Sequence, residues 1–122
     1  MSLLLIVTEQ LQRIENDDDE DICITIEASL NPGLWTQITQ MNLNMTYPFS
    51  AFSDPPLETL QHFGIVLPDE VELNSWEPQT FATFDHAWED VGELAKFLTA
   101  YLELVLKMPA INDALKITTT YL

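Results

Sequence analysis

An α+β fold, with helices packed on an antiparallel sheet of about five to six strands, is what this sequence predicts. Two segments, residues 4–14 and 91–106, repeat apolar residues at three- and four-residue spacing, the period of a helix with one buried face. Two others, Ile22 to Glu27 and Asn42 to Phe49, alternate apolar with polar residues, the period of a strand. The strand-like segments come in runs joined by short turn signals, which favours hairpins over parallel crossovers.

Each element follows from its own residues. Leu4, Val7, Leu11 and Ile14 share one face of an opening helix over residues 2–15. Ile22, Ile24 and Ile26 then alternate with Cys23, Thr25 and Glu27 in a half-buried strand. Asn31-Pro32-Gly33 is a turn signal, and Trp35 to Gln40 reads as the second strand. In the third, Leu43, Met45, Tyr47 and Phe49 alternate with Asn42, Asn44 and Thr46 until Pro48 stops it. Ser53-Asp54-Pro55-Pro56 reads as an N-cap followed by prolines at the first helical positions, where a missing N–H costs nothing. Leu57, Leu60 and Phe63 form the expected buried face of that short helix, and Gly64 its stop. Val71 to Trp76 and Thr80 to Phe84 make a second hairpin around Glu77-Pro78. Asp85 or His86 is the expected cap of the longest helix, which buries Val91, Leu94, Ala95, Leu98, Leu102, Val105 and Leu106 and ends at Met108-Pro109. The Thr-rich, β-branched segment from Leu115 to Tyr121 closes the chain as a strand. The expected order is helix, three strands, helix, two strands, helix, strand, within a single domain over residues 1–122.

Composition narrows the function. A chain of 122 residues and 13.9 kDa keeps roughly 6,700 Å² exposed and buries about two-thirds of its unfolded surface, enough for a core of its own. Twenty acids against Arg13, Lys96, Lys107 and Lys116 leave a net charge of −16, yet 47% of residues are apolar, too many for a disordered chain. Four cations supply no basic stripe for phosphates, so no nucleic acid is expected as a partner, and an anionic membrane surface repels the chain. No stretch approaches the roughly 20 apolar residues of a membrane helix. The opening Leu3 to Val7 lacks the positive region of a signal peptide. Cys23 is the single cysteine, which excludes an intrachain disulfide and a cysteine-rich zinc site and points to the cytoplasm.

Catalytic and metal patterns fail on inspection. Six acids in the seven residues from Glu15 to Asp21 place Asp17, Asp19 and Asp21 at the first calcium-loop positions. Ile22 then stands where the loop needs glycine and Ala28 where it needs glutamate, so the run reads as a solvated connector. His62 and His86 form no metal-binding pair with each other or with Cys23, although Glu89 follows His86 at the spacing of one helical face; structural or capping roles are expected for both. None of Ser2, Ser29, Ser50, Ser53 and Ser75 lies in a nucleophile elbow, and Gly33, Gly64 and Gly92 are too far apart to cradle a phosphate. No catalytic residue, metal or cofactor is therefore expected. Among the aromatics, Phe63, Phe81 and Phe97 are assigned to the core, and Trp35, Tyr47, Phe49 and Trp76 are the candidate protein-binding residues, because they lie on strands or beside them where large apolar surface anchors a partner.

Three stretches together resemble one superfamily: the opening helix leading into Ile22-Cys23-Ile24-Thr25-Ile26, the segment Pro56 to Ile65 followed by Leu67-Pro68, and Asp90 to Leu106 with Pro109 and Leu115-Lys116-Ile117. They look like the type III secretion chaperone and YbjN-like superfamily, in particular its small stand-alone bacterial members, the TY-chaperone-like domains. The resemblance implies a small, acidic, chaperone-like α+β fold that binds a protein client or forms a homodimer, with no catalytic residues. The expected function is thus a non-enzymatic cytoplasmic module holding a protein partner on an apolar face. The alternative is an acidic immunity or inhibitor protein, drawn by its charge onto a basic toxin.

Overall fold

Three helices lie on one side of a six-stranded antiparallel sheet in the computed structural model, which describes residues 2–50, 55–108 and 115–122. The chain runs α1 (Leu3–Glu15), β1 (Ile22–Ala28), β2 (Asn31–Thr39), β3 (Asn42–Thr46), α2 (Pro56–His62), β4 (Glu72–Glu77), β5 (Phe81–Asp85), α3 (Val91–Ala100), a π-helical turn (Tyr101–Val105) and β6 (Leu115–Tyr121). This is the predicted class and order. The spatial order is β4-β5-β3-β2-β1-β6, with every neighbouring pair antiparallel.

β5 and β6 stand four positions apart in the sheet, about 19 Å at the usual strand spacing. The chain between them begins with the helical run from α3 through the π turn, about 22 Å of rise. On the way it packs on α1 and on the sheet. The Phe84 ring meets Phe97 and Tyr101 edge-on at 5.4 and 6.4 Å. The buried Tyr101 hydroxyl donates to the Thr46 carbonyl at 2.8 Å. With the Leu106 N–H reaching back to the Tyr101 carbonyl at 3.2 Å, the helix widens where its tyrosine is tied to β3. The core between the layers is built from Leu3, in place of the expected Leu4, which is exposed, with Val7, Leu11 and Ile14 of α1, the three isoleucines of β1, and Leu94, Leu98 and Leu102 together with Leu43, Met45 and Phe84.

Several local expectations are corrected. Asn31-Pro32-Gly33 is not the turn between β1 and β2. Ala28 pairs with Asn31 and Glu27 with Trp35, so residues 32–34 bulge inside β2, with the Asn31 side chain accepting from the Gly33 N–H at 3.2 Å. In α2 the buried residues are Pro56, Thr59 and Leu60, whereas Leu57 faces solvent. Its N-cap is Pro55, with no side-chain bond; Ser53 and Asp54, read as the cap, lie outside the described residues, as does Pro109. Asp85 belongs to β5, paired with both Asn42 and Glu72, and α3 is capped instead by Asp90, whose Oδ1 accepts from the Glu93 N–H at 3.1 Å. His86 and Glu89 consequently precede the helix and share no helical face.

The acidic connector is tied down by its own carboxylates. Asp17 Oδ1 accepts from the Asp19 N–H and Asp19 Oδ1 from the Asp21 N–H, at 2.8 and 2.9 Å. Asp17 Oδ2 accepts from the Tyr121 hydroxyl at 3.2 Å. Gln40 closes the end of α1, donating to the Ile14 and Asp17 carbonyls.

Candidate functional site

Opposed residues in an antiparallel pair point to the same side of the sheet, so the registers sort every strand residue onto one of two faces. Ile24, Ile38, Leu43 and Phe84 fall on the helix side. The other side carries rows of mostly polar residues, and among the described residues no helix packs on it. Thr118, Thr25, Gln37, Asn44, Thr83 and Ser75 form its uncharged middle row.

The row beside it is different in kind. It runs Lys116, Glu27, Trp35, Thr46, Phe81, Glu77 from one edge of the sheet to the other. Trp35 and Phe81 are half-buried by their neighbours and take no part in the core. Between them Thr46 is the low point. Its hydroxyl is turned into the β2 backbone, accepting from the Trp35 N–H at 2.9 Å and donating to the Gly33 carbonyl at 2.9 Å. The floor between the aromatics is therefore a satisfied, short side chain. Lys116 sits at 3.8 Å from Glu27, a loose surface pair of little energetic consequence.

The four candidates of the sequence divide across the two faces. Trp35 stands on the open side. Tyr47 is fully buried on the helix side, its hydroxyl 2.9 Å from Thr59 Oγ1. Phe49 and Trp76 pack edge-on against the Tyr47 ring at 5.4 and 5.5 Å, and both border the core. The fully buried Tyr47 offers no surface to a partner, and Phe49 and Trp76 are its packing partners, so Trp35 alone of the four belongs to the open face. Phe81, assigned to the core from the sequence, replaces them. The signal was present: Phe81 and Phe84 are three residues apart in one strand, and period two places them on opposite faces. The flanking Glu27 and Glu77 carried no local signal, because only the pairing of strands distant in sequence puts them in line with the aromatics.

A cleft of about 340 Å³ between the α2–β4 loop and the start of α3 is lined by Asp69, Glu70, Glu89, Asp90 and Glu93. Within it Glu70 Oε2 accepts from the Asp90 N–H at 2.8 Å, and burial pushes the Glu70 carboxyl above its ordinary value. Among the described residues no group of three or more histidines, cysteines or acids is arranged to hold a metal ion. His62 is exposed on α2. His86 is buried, with Nε2 3.3 Å from the Thr39 carbonyl and the ring edge-on to Trp88 at 4.6 Å. Cys23 is buried in β1. No helix of the described residues is long and apolar enough to cross a membrane. Compared with protein-family models, curated proteins and solved structures, the chain matches none of them.

Proposed function

We propose that this protein is a non-enzymatic binding module that holds a protein partner on the open face of its sheet, as the resemblance to the secretion-chaperone and YbjN-like superfamily implies. One observation carries the reading: Trp35 and Phe81 stand in one row of a face that no described element covers, outside the core. Large aromatic side chains left at a surface are the usual anchors of protein interfaces. A buried, single Cys23 suits a reducing cytoplasm. Affinity capture from native lysate tests the reading. A protein recovered by the wild type and lost from a folded Trp35→Ala, Phe81→Ala double variant supports it; equal recovery by both sinks it.

A second reading, an acidic inhibitor of a basic toxin, draws on the net charge of −16, of which the described residues neutralise little, with ion pairs only at Lys96–Glu93 and Lys116–Glu27. Charge steering makes association fall steeply with salt. Binding of the recovered partner that loses its association rate between low and moderate salt, while tolerating the double variant, would favour this reading over the first.

A further inference from the structure

The open face pairs each of its aromatics with a carboxylate. Glu27 stands directly opposite Trp35, and Glu77 directly opposite Phe81. Cross-strand neighbours of this kind lie about 5 Å apart at Cβ, so each pair offers a ring and an anionic oxygen to the same incoming group. The midpoints of the two pairs are separated by three strand spacings, about 14 Å, which is the reach of about four residues of extended chain. Asp85 and Glu72 add negative charge on the β4–β5 side, against a single cation, Lys116, at the opposite edge.

This arrangement is complementary to a particular side chain. A guanidinium is planar, weakly hydrated and always charged, so it stacks on an aromatic ring while its N–H groups bond a neighbouring carboxylate. Lysine fits less well, since its ammonium is a strongly hydrated point charge. A second copy of the chain fits worst, because it would bring Glu27, Glu72, Glu77 and Asp85 against their own equivalents with only Lys116 in answer. Resting on the reading of this face as a protein-binding surface, we propose that its occupant is an extended segment of a partner protein that crosses the strands and presents two arginines four residues apart, one over Trp35 with Glu27 and one over Phe81 with Glu77.

A blocked synthetic peptide of alanine and serine carrying arginines at that spacing is the probe, with lysine and citrulline versions beside it. Titrated into the full-length protein and followed by amide and indole NMR shifts, the arginine peptide should perturb Trp35, Thr46 and Phe81 and leave the helix layer unchanged. The lysine version should bind about threefold more weakly and the citrulline version not measurably, since it keeps the plane but loses the charge. Glu77→Gln, on an exposed side chain, should weaken the arginine peptide about fivefold, and Trp35→Ala about tenfold. Lys116→Ala, which frees Glu27, should tighten it. Shifts confined to other surfaces, equal binding of the citrulline peptide, or concentration-dependent shifts of the same residues without peptide, as a homodimer would give, each overturn the proposal. If the peptide fails while capture from lysate still depends on Trp35 and Phe81, the arginine assignment falls alone. If capture fails as well, the open face is not the binding surface.

Discussion

Thr46 and Tyr47 are neighbours in the chain and face opposite sides of the sheet, and that difference of one residue separates a floor of the open face from a pillar of the core. The same parity decides what substitutions cost. Phe84→Ala removes a fully buried ring that packs on Phe97 and Tyr101 and should lower unfolding free energy by about 3–5 kcal/mol. Trp35→Ala, although it deletes a larger side chain, should cost under about 1 kcal/mol, because the tryptophan borders solvent and not the core. Urea denaturation of the two variants checks the assignment of faces, and similar losses would refute it. His86 gives a second expectation at this scale. Its Nε2 meets the Thr39 carbonyl, while Nδ1 is buried with no hydrogen-bond partner among the described residues, so a proton there is left unpaired. Burial holds its pKa below the ordinary 6.5, against the opposing pull of the Thr39 carbonyl and of Asp85. In that window the unfolded chain binds the proton and the folded one does not, so stability is fully present above about 6.5 and is lost as pH falls. Between about pH 7.5 and 5.5 the urea midpoint of the wild type should therefore drop more than that of His86→Gln; parallel curves would count against the buried neutral imidazole.

At the scale of elements, the ends of the helices show how local chemistry is honoured or overruled. Gly64 was legible, because α2 ends in a paired set of bonds that needs a left-handed residue there: Ile65 N–H to the Leu60 carbonyl at 2.9 Å and Gly64 N–H to the Gln61 carbonyl at 3.0 Å. Its φ is 71° and a Cβ would meet nothing within 4 Å, so Gly64→Ala isolates backbone strain. It should cost about 1–2 kcal/mol in urea denaturation, with the fold unchanged. The cap of α3 is hard to place locally because Asp85 and His86 follow directly on an apolar strand, and nothing local shows that Asp85 remains paired on both sides. Asp90 with Glu93 three residues later was the better signal, the spacing of a capping box. In the folded chain Glu70 supplies the reciprocal acceptor for the Asp90 N–H, a partner 20 residues away. Asp90→Ala should therefore lower stability by about 1 kcal/mol, and Asp85→Ala by clearly less; thermal melts of both variants test which residue is the cap. The π turn had no signature in the sequence, since it arises where the Tyr101 hydroxyl is held by a β3 carbonyl 55 residues earlier.

The whole molecule carries −16 with two ion pairs among its described residues, at 3.3 and 3.8 Å, both on exposed lysines. Its accessible surface of 6647 Å² is what the size scaling gives for a folded chain of this mass, so the charge is crowded onto an ordinary area. Mutual repulsion then opposes folding, and screening relieves it over a Debye length of about 10 Å at 0.1 M salt. The melting temperature should rise by several degrees, order of magnitude ~5, when sodium chloride is raised from about 0.01 to about 0.2 M. A flat or falling curve would mean that the acids are placed to avoid one another. The acidic connector contributes to that charge, yet Asp17 and Asp19 spend oxygens on backbone N–H groups and on Tyr121, which accounts for a loop of like charges holding one shape.

Period-two alternation in β1 and β3, the helical spacing in α1 and α3 and the glycine after α2 are properties of consecutive residues, and consecutive residues are what a sequence displays. From them the sequence by itself determined the α+β class, the element order and most of the core. Which strands are neighbours was decided only in three dimensions: β5 beside β3, and β6 beside β1 at the far end of the chain. Pairing over such separations depends on register and on where the helix layer settles, and neither is written in any short window. Those pairings brought Glu27 to Trp35 and Glu77 to Phe81, withdrew Tyr47, Phe49 and Trp76 into or against the core, and left one face of the sheet uncovered by any described element.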